Sequence, residues 1–217
     1  MSNKYGPRIV TDGLVLCLDA ADRNSYPGTG TSWADLSGNG NNGTLTNGPT
    51  FNSSNGGSIV FDGVNDKVDC GTFSVPYVTV STWVYKTSLA TNQGICRKQN
   101  AWAVSVYNGV LQVAAYTSWV FRSTSYTIPL NTWKHIAYTY SGTGSYSQSV
   151  YLDGSLIFYS SYGTGALSSN NYTARVGYDD NNWYWNGKIA NTQIYNRALS
   201  ASEVLQNYNA TKGRFGL

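Results

Sequence analysis

Short apolar runs alternate with clusters of Gly, Asn, Asp and Ser along almost the whole chain. Runs of this kind, rich in Val, Tyr and Trp, predict β-strands joined by turns. We expect strands at residues 13–19, 58–62, 67–70, 78–86, 94–98, 102–107, 110–116, 119–126, 132–140, 149–153, 155–159, 174–178 and 188–195. About a dozen strands with hardly any helix predict an all-β fold, a two-sheet antiparallel jelly-roll sandwich.

Two of these runs, residues 78–86 and 132–140, are apolar at almost every position. Alternate side chains of a strand point to opposite faces, so a strand that is apolar on both faces must be covered on both. We therefore expect both runs to be central strands.

Three pairs of runs predict β-hairpins. Asn108 and Gly109 form a two-residue turn between the runs that flank them, and so do Asp153 and Gly154, because Asn-Gly and Asp-Gly readily adopt positive φ. The runs at 58–62 and 67–70 are separated by a Gly/Asn/Asp turn of similar character. The sequence therefore predicts that these two runs also pair with each other.

One helix is predicted near the end of the chain, over residues 200–210. Ser200 stands three residues before Glu203, which is the capping-box spacing that satisfies two backbone N–H groups at a helix start. The apolar stripe that follows predicts that this helix packs on the edge of the sandwich.

The composition favours a single domain with a polar surface. Hydrophobic residues make up 41% and aromatic residues 14% of the 217 residues, enough for one large core. We expect that domain to span residues 13–217 and residues 1–12 to form an arm. Charged residues reach only 12%, against about 25% in typical chains, a bias typical of surfaces that bind polar ligands.

Charge and hydropathy argue against two classes of partner. The net charge of +3 comes from Lys and Arg residues scattered singly, so the sequence predicts no nucleic-acid interface. No apolar run approaches the length needed to cross a bilayer, so we predict no membrane insertion. The segment at 13–18 is too short for a secretion signal and is flanked by Asp12 and Asp19.

The loop between Trp33 and Leu45 is rich in Gly and Asn and is expected to be ordered. Two interpretations stay open for Asp35, which begins it. Its carboxylate can accept hydrogen bonds from nearby backbone N–H groups and hold a self-bonded turn. Alternatively, Asp35 and loop oxygens could hold a structural Ca²⁺; no other cofactor is predicted to be required.

Aromatic residues next to polar ones mark candidate sugar-binding positions, because sugars stack on flat rings and hydrogen-bond to fixed polar groups. The sharpest candidate is the segment 178–185, in which Trp183 stands among polar side chains. Trp102 and Trp119 begin predicted strands after polar residues and could reach the rim of a sheet. The glycan-binding residues predicted are Trp102, Trp119, Asp179, Asp180, Asn182 and Trp183. The alternative is that Trp183 or Trp185 plugs one end of the sandwich.

Few residues are available for catalysis, and the sequence predicts no enzyme. Retaining glycosidases need two carboxyl groups about 5 Å apart, but Glu203 is the single Glu and serves the helix cap. Asp179 and Asp180 are adjacent, so in an extended segment they would point to opposite faces.

His135 is the single His and is expected to be a buried, hydrogen-bonded core residue. The three cysteines lie in apolar runs and are expected to be buried free thiols.

Six blocks in one order carry a family resemblance. They are DLSGNGNNGTL at 35–45, SIVFDGVNDKV at 58–68, VTVSTWV at 78–84, TWKHIAYTYSG at 132–142, VYLDG at 150–154 and GKIANTQIYNRALSASEV at 187–204. Together they resemble the laminin-G-like branch of the concanavalin A-like lectin/glucanase superfamily, and the chain looks most like its phage structural-protein type. The resemblance implies a jelly roll used to bind carbohydrate or protein. It also implies a structural Ca²⁺ held partly by an Asp. In this chain Ala190 occupies the position of that Asp, and this departure from the family pattern removes a charged ligand.

The resemblance implies a protein of the virion, made in the host cytoplasm, and leaves two functions open. The chain could bind host surface polysaccharide in a phage tail or capsid decoration. Alternatively, it could be a purely structural subunit that packs against other virion subunits or forms a homo-oligomer, or a bacterial surface lectin-like module. Residues 1–12 mix apolar and basic side chains and are expected to belong to no sheet of their own sandwich. They either attach the protein to neighbouring subunits or form a tail without a role.

Overall fold

The computed structural model of the chain describes residues 7–115, 121–145 and 147–217. In chain order, the first strands are β1 (Leu14–Asp19), β2 (Ser32–Trp33), β3 (Gly43–Thr46), β4 (Thr50–Asn52), β5 (Ser58–Asp62), β6 (Lys67–Cys70), β7 (Val78–Lys86), β8 (Gln93–Lys98) and β9 (Trp102–Tyr107). They are followed by β10 (Val110–Ala115), β11 (Phe121–Ser123), β12 (Trp133–Tyr140), β13 (Gln148–Leu152), β14 (Ser155–Ser160), β15 (Ala174–Val176), β16 (Tyr178–Asp179), β17 (Trp183–Tyr184) and β18 (Asn186–Tyr195). The helix α1 (Ala201–Thr211) comes next, and 3₁₀ turns lie at Ser54–Gly56 and Lys212–Phe215.

The strands form two large antiparallel sheets. The first sheet has the order β14-β13-β12-β7-β18-β5-β4, with β1 also paired to β18. The second sheet has the order β11-β10-β9-β8-β15-β6-β3-β2. This arrangement confirms the predicted two-sheet sandwich, and β7 and β12 are central strands as predicted.

The core fills the space between the sheets. Ile136 and Tyr138 from the first sheet and Trp102 and Val104 from the second belong to one buried apolar cluster. Each large apolar side chain buried between the two inner faces contributes about 1.5 to 3 kcal/mol of hydrophobic stabilisation to the fold. The three cysteines are buried and free, as predicted.

The helix covers the outer face of the first sheet. Ser200 and Glu203 form the predicted capping box at its start. Val204 then packs against Ala137 and Tyr195, whose side chains point away from the main core. The prediction that the helix packs on the edge of the sandwich was therefore wrong, because the central strands carry apolar side chains on both faces. Within the ranges described, no helix is long and apolar enough to span a membrane.

The C-terminal 3₁₀ turn extends this cover. The ring of Phe215 stacks on Trp83 with centroids 4.1 Å apart and lies 4.7 Å from that of Trp133. Arg214 Nη1 lies 2.8 Å from Asp19 Oδ1, which ties the turn to β1.

Residues 8–12 also lie against this face. The Val10 N–H donates to Asn207 Oδ1 at 2.8 Å, and the Tyr195 hydroxyl donates to the Val10 carbonyl at 2.9 Å. Val10 itself is buried beside Val204. The described part of the predicted arm belongs to no strand, as expected, but it packs on its own domain. Residues 1–6 lie outside the described residues, and the boundary at residue 12 stays a prediction.

The predicted pairing of residues 58–62 with 67–70 was wrong. β5 pairs with β4 and β18 in the first sheet, whereas β6 pairs with β3 and β15 in the second. Packed sheets lie about 10 Å apart, a distance that the four residues 63–66 can span. The Asp66 carboxylate accepts the Asp62 N–H at 3.0 Å and fixes this corner.

The other two predicted hairpins are confirmed. β9 pairs with β10 across Asn108 and Gly109, whose φ values are 49° and 79°. β13 pairs with β14 across Asp153 and Gly154, with φ values of 50° and 81°. Positive φ at both positions matches the twist of the paired strands.

His135 is buried between the first sheet and α1, and the predicted core role is confirmed. Its Nε2 lies 2.9 Å from the Ser81 hydroxyl, and the rings of Trp83 and Tyr208 are 5.3 and 5.8 Å away. Burial lowers the pKa of His135 to about 4, although the charge of Asp153 opposes that shift.

This burial predicts an acid-sensitive stability. Between its folded pKa of about 4 and its usual pKa of 6.5, the unfolded state binds a proton that the folded state does not. The free energy of unfolding should therefore fall as pH drops through this window, by about 3 kcal/mol from this group. Urea unfolding at several pH values measures this slope. His135→Gln should remove this contribution, and equal slopes in both proteins would contradict the assignment.

Candidate functional site

A two-stranded hairpin at residues 178–184 lies on the outer face of the second sheet. β16 and β17 pair Tyr178 with Tyr184 and Asp179 with Trp183. The hairpin backbone sits directly over Gly94 in β8, where an added Cβ would lie 2.1 Å from the Asp179 nitrogen. Only glycine at this position allows so close an approach.

Arg97 holds both carboxylates of the hairpin. Its Nη1 lies 2.5 Å from Asp179 Oδ1, and its Nε lies 2.9 Å from Asp180 Oδ2. The expectation that the adjacent carboxylates point to opposite faces applied to an extended segment; here the turn after β16 brings both to one guanidinium. Burial raises the pKa of Asp179, and the charge of Arg97 opposes this shift.

The ion pairs continue across the sheet. Arg175 Nη1 lies 3.6 Å from Asp180 Oδ1, and Arg175 Nε lies 2.8 Å from Asp69 Oδ1. Lys67 Nζ is 3.1 Å from Asp69 Oδ2. Burial alone would raise the pKa of Asp69, but hydrogen bonds from Arg175, Lys67 and Thr46 outweigh it and lower that pKa. We call these alternating charges the charge ladder: Lys67, Asp69, Arg175, Asp180, Arg97 and Asp179.

Next to the charge ladder, the hairpin presents an aromatic surface. The Trp183 ring stacks on the Tyr107 ring, with centroids 5.3 Å apart and planes at 29°. Tyr107 is 38% exposed and Trp183 is half-buried, so this ring pair offers flat apolar surface to solvent. Exposed amides of Asn181 and Asn182 flank it. Tyr107 was not identified from the sequence as a site residue. The signal that could have found it is its position at the end of a strand, directly before the Asn108 turn, because strand ends at turns are often exposed.

The structure separates the other predicted tryptophans from this site. Trp102 is fully buried, because its side chain faces the core together with Val104 and Val106. The expectation that it reaches the rim of a sheet was wrong. Trp185 is also fully buried in the core, while Trp119 lies outside the described residues. The predicted residues brought together are therefore Asp179, Asp180, Asn182 and Trp183.

Asp35 forms the self-bonded turn. Its Oδ1 accepts the backbone N–H groups of Cys17 and Ser37 at 2.8 and 2.9 Å. Its Oδ2 accepts the Ser37 hydroxyl at 2.7 Å and the Asn41 N–H at 3.0 Å. Four hydrogens directed at the carboxylate would repel a cation, so the residues present do not fit a Ca²⁺ ligand set. Among the described residues, no group of three His, Cys, Asp or Glu side chains could hold a metal ion.

Comparison with known protein families identifies the superfamily of this chain. A laminin-G-like family model of the concanavalin A-like lectin/glucanases superfamily matches residues 62–205. The chain therefore belongs to that superfamily. No curated protein sequence matches the chain closely enough to be a relative.

Several solved structures share the fold. Domain 4 of AbnA, an extracellular GH43 arabinanase of Geobacillus stearothermophilus in complex with arabinotriose, superposes with a TM-score of 0.69 at 20% identity, covering 90% of this chain and 98% of that chain. The binding domain of Paraclostridial Mosquitocidal Protein 1 gives 0.70 at 20% identity, covering 92% and 52%. Trypanosoma rangeli sialidase gives 0.68 at 16%, covering 93% and 33%. At these identities the likeness shows the fold alone.

The buried ion pair predicts a measurable loss of stability. Arg97→Met should lower the free energy of unfolding by about 3 to 5 kcal/mol, since it leaves the buried Asp179 carboxylate without its cation. Urea denaturation measures the change. Lys188→Met is the control, because it removes a half-buried cation from the first sheet and should cost less than about 1 kcal/mol. Replacing both partners, Arg97→Met with Asp179→Leu, should recover much of the loss; equal losses in the single and double variants would contradict this reading.

Proposed function

We propose that the chain is a non-catalytic carbohydrate-binding module whose ligand lies on the ring pair and the 178–184 hairpin. The observation that carries this proposal is the stack of Trp183 on Tyr107, a solvent-facing aromatic surface bordered by amides. Sugars bind such surfaces with an apolar ring face on the aromatic ring and hydroxyls on fixed polar groups.

The contacts below the rings support this role because they fix the hairpin before a ligand arrives. Two carboxylates on one guanidinium and the close backbone contact at Gly94 anchor both strands of the hairpin. A preorganised surface loses less conformational entropy on binding. Trp183 is therefore held ready for its ligand.

The same contacts support a role without catalysis. Asp179 is fully buried and Asp180 is held by two arginines. A general acid has to reach the glycosidic oxygen, and a nucleophile has to reach the sugar carbon. Neither carboxylate is placed to do this while Arg97 holds it. Turnover of a glycan that is lost on replacing Asp179 or Asp180 would overturn this part.

The solved relatives support a binding role by analogy. The arabinanase domain that covers the same length was determined with arabinotriose, and the mosquitocidal protein domain is a binding domain. Fold-level analogy indicates the class of ligand only, so the site has to be tested on its own residues.

We predict that Trp183→Ala weakens glycan binding by about 1 to 3 kcal/mol, or about 5- to 150-fold in Kd, because it removes the aromatic platform. The melting temperature should stay nearly unchanged, since the ring is only half-buried. A glycan array finds the ligand, and calorimetry then measures Kd for wild type and variant.

Tyr159→Ala is the matched control, because Tyr159 is an exposed ring on β14 of the first sheet. It should leave Kd unchanged. An equal loss of affinity in both variants would place the site elsewhere, and a sharp fall in melting temperature for Trp183→Ala would make Trp183 a core residue.

The proposal also includes a location for the protein. We propose that the module lies on a phage tail or capsid surface and attaches the particle to host polysaccharide. This part rests on the resemblance of the sequence blocks. If the module belongs to a particle, the chain should co-sediment with intact particles through a density gradient. Recovery only in bacterial cell-surface fractions would favour a bacterial lectin-like module. Particle attachment without any glycan binding would favour a structural subunit.

A further inference from the structure

The charge ladder bears on which sugars can bind at the ring pair. It contains three cations, Lys67, Arg97 and Arg175, and three anions, Asp69, Asp179 and Asp180. The six charges therefore sum to zero, and because each cation lies within 3.1 Å of an anion, they compensate one another in place.

The cations of the ladder are already occupied. The Arg97 side chain is 7% exposed and contacts both hairpin carboxylates, so an incoming anion cannot reach it. Arg175 is 26% exposed but bridges Asp180 and Asp69. An acidic ligand would have to displace a protein carboxylate to gain a cation, and the exchange returns little free energy.

The polar residues next to the ring pair along the chain are uncharged or already paired. Asn181 and Asn182 are exposed in the hairpin turn, and Asn108 is exposed beside Tyr107. Asp180, in the same turn, is paired with Arg97 and Arg175, so neither arginine is available to a ligand carboxylate or sulfate. Side-chain amides can both donate hydrogen bonds to sugar hydroxyl groups and accept hydrogen bonds from them.

We infer that this surface selects uncharged sugars and rejects acidic ones, a specificity that rests on the proposed glycan-binding function. Asp180 is the residue that sets this preference, because it pairs with both arginines and so withholds their charge from a ligand anion.

The test compares neutral oligosaccharides with uronic and sialylated ones on the intact protein. Wild type should bind neutral glycans, with a Kd that changes less than about twofold between 0.05 and 0.5 M NaCl, because no ligand charge is being screened. Acidic glycans should bind at least about tenfold more weakly.

Asp180→Asn should raise the ratio of acidic to neutral binding by about fivefold or more at low salt, the scale of about 1 kcal/mol for one partly exposed charge. Asp12→Asn is the matched control; it makes the same change of net charge at a side chain that is 85% exposed on the other sheet's side, and the ratio should not move. Asp69→Asn exposes Arg175 without touching the hairpin, so it should shift the ratio in the same direction even if Asp180→Asn disturbs folding.

The outcomes separate the two proposals. Tight, salt-sensitive binding of acidic glycans by wild type, or an unchanged ratio in both ladder variants, would overturn the inference while leaving the glycan-binding function in place. Absence of binding to every glycan would overturn the proposed function and the inference with it.

Discussion

The outer face of the first sheet determines the layout of the molecule. Its central strands carry Trp83, Ala137 and Tyr195 on the side away from the main core, and these apolar side chains must be shielded from water. Residues 8–12, the helix α1 and the Lys212–Phe215 turn all lie there. The 178–184 hairpin lies on the opposite side of the sandwich, over β8 of the second sheet.

The second sheet meets a different requirement, because its outer face carries charges where the first sheet carries rings. Burying ionised groups is unfavourable unless each has a partner, and the alternating order of the charge ladder supplies one at every step. Gly94 permits the hairpin backbone to lie against β8, and Arg97 then fixes both neighbouring carboxylates. The hairpin that carries the aromatic surface is thus held by ion pairs as well as by ring contacts.

The sequence predicted what local patterns determine. Strand periodicity, the two Asn-Gly and Asp-Gly hairpins and the capping box at Ser200 are local signals, and all are confirmed. Predictions failed where the structure depends on contacts between residues far apart in the sequence. Nothing within residues 58–70 says that β5 and β6 join different sheets, and nothing beside Trp102 says which face of β9 meets the core. Likewise, the site residue Arg97 and its pairing with Asp179 follow from a contact across 82 positions, which no spacing rule reveals.

The position of residues 8–12 and 212–217 has a consequence for presentation. Both segments lie against the first sheet, on the side opposite to Trp183 and Tyr107. A tether attached at either segment would turn the ring pair outward, so copies immobilised on one support would all face the same way. An array of identical weak sites in a common orientation can engage a repeating polymer at several points at once, and its residence time then depends on spacing more than on the affinity of any single copy.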